Sequence, residues 1–402
     1  MHFSSTTALL LAASAVNARP PHGANKAIYV LTNTADNAII GLPIDHRGYL
    51  ANGQVTLTGG RGSNALDSDG EPSGPDALYS QAPLTVAGEY VFAINPGSNT
   101  LSMLAAHPHT PSLLSLIGEP ASIPGEFPVS VAASPKNNLV CVATTGAKAG
   151  ISCASYSDHG VSPLDNIRPY ALNQTTPPTG PPNTVTHTFF SDDETHLLTT
   201  VKGVPNTSNK GFLSVFPVER SSSSSPCRPR DPSTSATLGK QDIRSSFNGT
   251  SLLFGAAPIP STSNILITDP SFGAALVNVN QETSYATLLS RTEIPNQGAT
   301  CWASYSATRA SVFVTDGTLN RLVELDASDA RIVSIANLPN QDPGYTDLYV
   351  DGDIVYALSP GNGTTDAAVA VYDARIEKQV QHVSLREYGA DKNAAGVAFL
   401  QV

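Results

Sequence analysis

Short apolar runs recur along the chain, separated by turn residues. The clearest is Ser311 to Asp326, SVFVTDGTLNRLVELD. Val312, Phe313 and Val314 are β-branched or aromatic and suit a pleated strand. Asp316-Gly317 and Asn320 carry turn chemistry, and Leu322, Val323 and Leu325 begin a second strand. The pattern predicts a hairpin, and the chain repeats it. Ile28–Val30 turns into Ile39–Ile40, Tyr90–Ile94 into Leu101, Leu139–Val142 into Ile151, His196–Leu198 into Phe212–Leu213, Asn264–Ile267 into Ala275–Val277, and Ile354–Tyr356 into Val369–Val371. That makes seven copies, roughly 40 to 70 residues apart, and periods of about 40 to 50 are the signature of propeller blades with inserted loops.

A second short segment precedes six of the copies: Asp76–Tyr79, Val129–Ala132, Thr186–Phe189, Leu252–Gly255, Trp302–Tyr305 and Thr346–Tyr349. In a propeller this is the innermost strand, beside the central tunnel. The first hairpin lacks one, and the missing strand stands at the other end of the chain as Gly396–Leu400. The expected fold is all-β: a seven-bladed propeller whose C-terminal strand completes the first blade and removes the open sheet edges.

Composition refines this picture. Of 402 residues only 14 % are charged, with 31 Gly and 31 Pro, which suits short strands and turns. The repeat makes residues 19–402 one domain, with 19–26 a tail and 220–237 a low-complexity insertion (SSSSSPCRPRDPSTS). The net charge of −11 disfavours nucleic acid and anionic membranes as partners. Residues 1–18 read as a signal peptide: Thr7–Val16 is a short apolar run and Val16-Asn17-Ala18 supplies small residues before a cut. The run is too short to span a bilayer. Secretion, to the medium or the cell wall, fits the Asn-x-Ser/Thr acceptors at Asn173, Asn206, Asn248 and Asn362. A monomer is expected.

The four cysteines suit an oxidising compartment. Cys141 and Cys153 flank the third hairpin's turn, and antiparallel pairing about Ala147 sets them opposite one another, which predicts a disulfide. Cys227 and Cys301 form the remaining pair, with free buried thiols as the alternative. No Cys-x-x-Cys, phosphate loop or Gly-x-Ser-x-Gly is present, so no metal and no cofactor are expected.

Propellers bind ligands at the tunnel mouth. The innermost segments and their leading loops hold Asp76, Tyr79, Gln81, Ser130, His187, Cys301, Trp302, Ser304, Tyr345 and Asp347. His187 is the imidazole in that set and a candidate general base, with Asp76 and Asp347 as acid, base or orienting groups. Trp302, Tyr345, Ser304 and Gln81 are candidate ligand contacts. The bland reading gives Asp76 and Asp347 turn-capping roles and makes His187 hydrogen-bonded filling.

The segments GPDALYSQAPLTVAGEYVFAINPGSNTLSML (74–104), FPVSVAASPKNNLVCVATTGAKAGISC (127–153), NTVTHTFFSDDETHLLTTVKG (183–203) and GFLSVFPVE (211–219) resemble the lactonase-type seven-bladed propellers. That family includes 6-phosphogluconolactonase and fungal 3-carboxy-cis,cis-muconate cyclase, and the resemblance is to its secreted fungal branch. It implies a lactonase or an intramolecular lyase of the cyclase type, acting on a small molecule with His187 moving protons. The family's anionic substrates call for cations near the tunnel, yet the six innermost segments contain neither Arg nor Lys. Arg168 and Arg244 lie in connectors. The expectation is therefore that the tunnel accepts a neutral or aromatic lactone rather than a multiply charged anion. The alternative is a protein whose catalytic set has decayed into an extracellular or cell-wall binding glycoprotein.

Overall fold

Seven antiparallel sheets of four or five strands form the ring of a β-propeller in the computed structural model, which describes residues 25–220 and 236–402. The expected signal peptide, most of the 220–237 insertion and Cys227 lie outside the described residues. From the axis outward, blade 1 runs Ala395–Gln401, Lys26–Leu31, Ala38–Ile44 and Gln54–Leu57. Blade 2 runs Leu84–Ala87, Tyr90–Asn95, Thr100–His107 and Thr110–Leu116, and blade 3 Pro128–Ser134, Leu139–Thr144, Gly150–Ser157 and Gly160–Val161. Blade 4 runs Val185–Phe190, His196–Val201, Phe212–Arg220 and Ala236–Leu238, and blade 5 Ala256–Pro258, Asn264–Asp269, Gly273–Val279 and Ala286–Glu293. Blade 6 runs Thr300–Ser306, Ser311–Asp316, Arg321–Asp326 and Ile332–Asn337, and blade 7 Leu348–Asp351, Ile354–Ser359, Ala368–Asp373 and Lys378–Ser384.

Burial explains the apolar pattern. Ser311–Asp316 and Ile354–Ser359 are buried at every position, because a blade packs on both of their faces. Outer strands such as Ile332–Asn337 alternate between half-buried and exposed positions. The apolar clusters lie between blades: Ile28, Val30 and Leu42 of blade 1 pack with Tyr356, Leu358 and Val369 of blade 7. Val91 and Leu104 of blade 2 pack with Tyr29 and Ile39 from the other side of blade 1.

The ring closes as the sequence predicts. The C-terminal strand pairs antiparallel with Lys26–Leu31, from Lys26 opposite Gln401 to Leu31 opposite Ala395. Lys26 is thus a strand residue rather than part of a tail, and its Nζ reaches Asp351 of blade 7 at 2.7 Å. Cys141 and Cys153 face each other across blade 3 and form a disulfide with Cα atoms 4.1 Å apart. Two inner strands differ from expectation. Blade 2 uses Leu84–Ala87 instead of Asp76–Tyr79, and in blade 5 the strand proper starts at Ala256, just after the expected 252–255. The one helical element among the described residues is a single 3-10 turn, Arg386–Tyr388. No helix among them is long and apolar enough to cross a membrane.

Candidate functional site

Each inner strand starts at the same end of the tunnel, and that mouth gathers most of the candidate residues. In blades 1, 3, 4 and 6 a register shift falls at the first residues of the inner strand. An extra residue at such a point bends the strand and re-aims a side chain. The residues just past the shift are Val397, Ser130, His187 and Trp302. In blade 7 the matching position is Asp347, whose carbonyl accepts from Leu358 N–H at 3.0 Å.

The segment expected to be the inner strand of blade 2 crosses this mouth instead. Asp76, Tyr79 and Ala82 all have positive φ, a conformation that costs energy without glycine and breaks any strand. What holds the segment is a set of bonds to four blades. Ser80 Oγ donates to the Val129 carbonyl at 2.8 Å and Ser130 Oγ to the Gln81 carbonyl at 2.7 Å, both in blade 3. From blade 4, the Thr186 carbonyl accepts from Gln81 N–H at 3.2 Å. From blade 6, Trp302 Nε1 donates to the Ser80 carbonyl at 2.8 Å. The Gln81 amide pairs with the backbone of Ala303 in both directions, at 2.8 and 3.2 Å, as a neighbouring strand would. From blade 7, Asp347 Oδ2 accepts from Ala82 N–H at 3.3 Å. Residues 76–82 are thus a plug that satisfies inner-strand groups otherwise left facing the axis. Gly255 lets it pass, since a Cβ there would collide with Gln81 Oε1 and the Cys301 carbonyl.

Around the plug lie two carboxylates and one cation. Asp347 is buried, and its oxygens accept backbone N–H groups from Leu348 at 2.8 Å and from Ala82 and Val397 at 3.3 Å each. Burial pushes its pKa up to about 7 against those bonds, with the Asp76 charge adding to the rise. Asp76 keeps partial solvent contact at residue level, while burial of its carboxyl raises its pKa and Lys202 opposes the rise. Lys202 stands one residue past the second strand of blade 4 and is 1 % exposed. Its ammonium donates to the Tyr79 carbonyl at 2.6 Å and lies 4.3 Å from the Phe254 ring centroid. Burial lowers its pKa and Asp76 resists that. The tunnel therefore does hold a cation, which the inner-strand inventory missed because a second strand supplies it. The signal in the sequence was a lysine inside the apolar run LLTTVKGV, followed by Gly203.

The remaining candidates separate. His187 is buried, its Nδ1 accepts from Ala256 N–H at 3.2 Å, and burial pushes its pKa down to about 3. It bonds neither Asp76 nor Asp347. Cys301 is buried and free among the described residues, and burial, then the Asp76 charge, raises its thiol pKa, so it stays neutral; its expected partner Cys227 lies outside the described residues. Tyr345 is fully buried, donating to Asn320 Oδ1 at 2.6 Å and accepting from Asn340 at 2.8 Å. Ser304 Oγ accepts from Val350 N–H at 3.2 Å and ties blade 6 to blade 7. Arg168 is engaged by Asp165 and the carbonyls of Leu238 and Gly239, and Arg244 by Asp242 and the Phe212 ring. No group of three or more His, Cys, Asp or Glu among the described residues is placed to hold a metal ion.

The expected acceptors Asn173, Asn206, Asn248 and Asn362 are all exposed. They sit in blade-to-blade connections or in turns between second and third strands, so all four project from the face that carries the mouth.

No family model and no curated protein matches the chain. Solved structures match its fold. A candidate 6-phosphogluconolactonase from Bacteroides fragilis shares 10% identity at a TM-score of 0.61, over 95% of this chain and 100% of that one. A protein from Lactobacillus plantarum shares 14% at 0.61, over 93% and 99%. Hydrazine synthase of Kuenenia stuttgartiensis shares 12% at 0.52, over 84% and 94%. At such identities the likeness concerns architecture: the chain is a seven-bladed propeller of the kind on which 6-phosphogluconolactonase-like proteins are built.

Proposed function

We propose that this is a secreted, glycosylated propeller of the lactonase and carboxymuconate-cyclase type that acts on a small lactone at the plugged mouth. The observation that carries the reading is that Lys202 Nζ and Asp76 Oδ1 both bond the Tyr79 backbone, to its carbonyl at 2.6 Å and its N–H at 2.9 Å, in a desolvated setting that moves both groups toward neutral pH. In lactone opening, water attacks the acyl carbon and the carbonyl oxygen gains charge. The Lys202 ammonium stabilises that oxyanion, and a low-dielectric site makes the contact stronger than in water. Asp76 takes the proton from the attacking water and returns it to the departing alkoxide. His187, with Nδ1 occupied and little affinity for a proton, serves as packing in this scheme. Trp302 and Tyr345 hold structure, and the aromatic rings beside Lys202 are Phe254 at 4.3 Å and Tyr79 at 5.9 Å. One ammonium faces two carboxylates, so a tricarboxylate gains too little to offset its desolvation, and an uncharged lactone is the expected substrate class.

The test is a turnover screen of uncharged lactones and carboxymuconate with the wild type, Lys202→Met and Asp76→Asn. We expect an uncharged lactone to be opened, with a loss of about a hundredfold or more in kcat in each variant. A second reading is favoured by the plug itself: with residues 79–82 bonded to four blades, the fold also suits a non-catalytic extracellular binding protein. Absence of turnover above buffer for every compound, by a protein with a normal melting transition, would leave that second reading standing.

A further inference from the structure

The face opposite the mouth carries a cleft between blades 4 and 5, of about 260 Å³. One wall is the turn joining the first two strands of blade 4, with Asp192, Asp193 and His196. The floor is apolar, with Leu198, Ile265 and Val279. His196 is 7 % exposed, so its ring belongs to the wall and not to the solvent. Its protonation state follows from its neighbours. Asp193 Oδ1 accepts from the hydroxyl of Thr195 at 2.8 Å and from that of Ser191 at 2.7 Å. The Thr195 proton is therefore committed, and its oxygen accepts from His196 Nδ1–H across 2.9 Å. A neutral imidazole with hydrogen on Nδ1 carries a lone pair on Nε2. Burial lowers the His196 pKa and keeps the ring neutral, against the Asp193 charge and the Gln281 side chain, which also faces the ring. The wall thus offers the Asp192 and Asp193 carboxylates and an imidazole lone pair as acceptors, beside the hydroxyls of Ser261 and Ser263 and the amides of Asn264 and Gln281.

We propose that this cleft binds a small primary amine: an ammonium head against Asp192, Asp193 and His196 Nε2, with an apolar body over Leu198, Ile265 and Val279. No Lys or Arg among the described residues lines it. The near cation, Lys136, reaches over from blade 3 and donates to the backbone carbonyl of Asp193 at 2.8 Å on the exposed side. Gln281 completes the wall and donates to Ser263 Oγ at 3.1 Å. The wall discriminates by charge, since an anion would meet two carboxylates with only neutral hydroxyl and amide donors to offset them, and a neutral alcohol supplies one proton where an ammonium supplies three.

Calorimetry at moderate salt compares three probes of one shape: phenethylamine, 2-phenylethanol and 3-phenylpropionate. The expected result is saturable one-to-one binding of the amine, about tenfold or more tighter than either comparator. Asp192→Asn keeps an acceptor for the Ser261 N–H that the native side chain binds at 3.0 Å, and should weaken the amine about tenfold. A His196 ring shift on amine addition to the wild type, read by NMR, provides the same answer without a variant. Equal binding of the carboxylate, an unmoved His196 signal, or no saturable amine binding overturns the proposal.

Discussion

Asp347 shows how one side chain serves several parts of the fold. It holds Leu348 of its own blade, Ala82 of the plug and Val397 of the closing strand through three backbone N–H groups. Its φ of 102° shows that the local backbone yields to reach all three. The carboxyl titrates from an unfolded value of 3.8 to about 7 in the native state. The native protein thus keeps a proton that the unfolded chain has released. The associated stability is full below the unfolded value and is lost as pH rises through about 7. Asp347→Asn removes that titration, so the melting temperature of the variant minus that of the wild type should increase from pH 4 to pH 8 by several degrees. A difference that stays flat or declines would show that Asp347 is ionised throughout. Lys202 is the residue that sequence reasoning passed over, because it belongs to no inner strand and lies where a turn was expected.

At the scale of elements, the hairpins were legible because second and third strands are buried on both faces and read as unbroken apolar runs, as in Ser311–Asp316 and Arg321–Asp326. The outer strands were not, since half of each faces solvent and the alternation is short, as in Ile332–Asn337. The plug was mistaken for a strand because Asp76–Tyr79 has the right residue types. What prevents a strand is positive φ at Asp76, Tyr79 and Ala82, none of them the glycine that would have announced it. The hairpin of blade 3 permits a quantitative test. Its disulfide spans 12 residues, and the chain-entropy model gives on the order of 3 kcal/mol for a loop of that size. Replacing both Cys141 and Cys153 by Ala should lower unfolding free energy by about that amount without moving the fold. A change under about 0.5 kcal/mol, read from denaturant midpoints, would mean that blade 3 is held by its packing alone.

At the scale of the whole molecule, closure and plug act together. Blade 1 takes its inner strand from residues 395–401, and the same strand touches Asp347 and so the plug. Removing residues 395–402 bares the Lys26–Leu31 edge and the apolar side chains of Ile28 and Val30. The truncated chain should fail to accumulate as soluble protein; a cooperative melt near the full-length temperature would refute closure as a source of stability. The four expected glycan acceptors face the mouth side, opposite the face that carries the cleft between blades 4 and 5.

Residues 76–82 are built into the axis of the ring and form the floor of the candidate site. Native-state hydrogen exchange over this segment tests it most directly. Gln81 and Ala82 donate their amides to the Thr186 carbonyl and to Asp347, inside the tunnel. Both should exchange as slowly as the inner strands Val185–Phe190 and Thr300–Ser306, opening only when the ring opens. Exchange of Gln81 and Ala82 at the rate of the exposed 67–71 turn, while those strands stay protected, would contradict it.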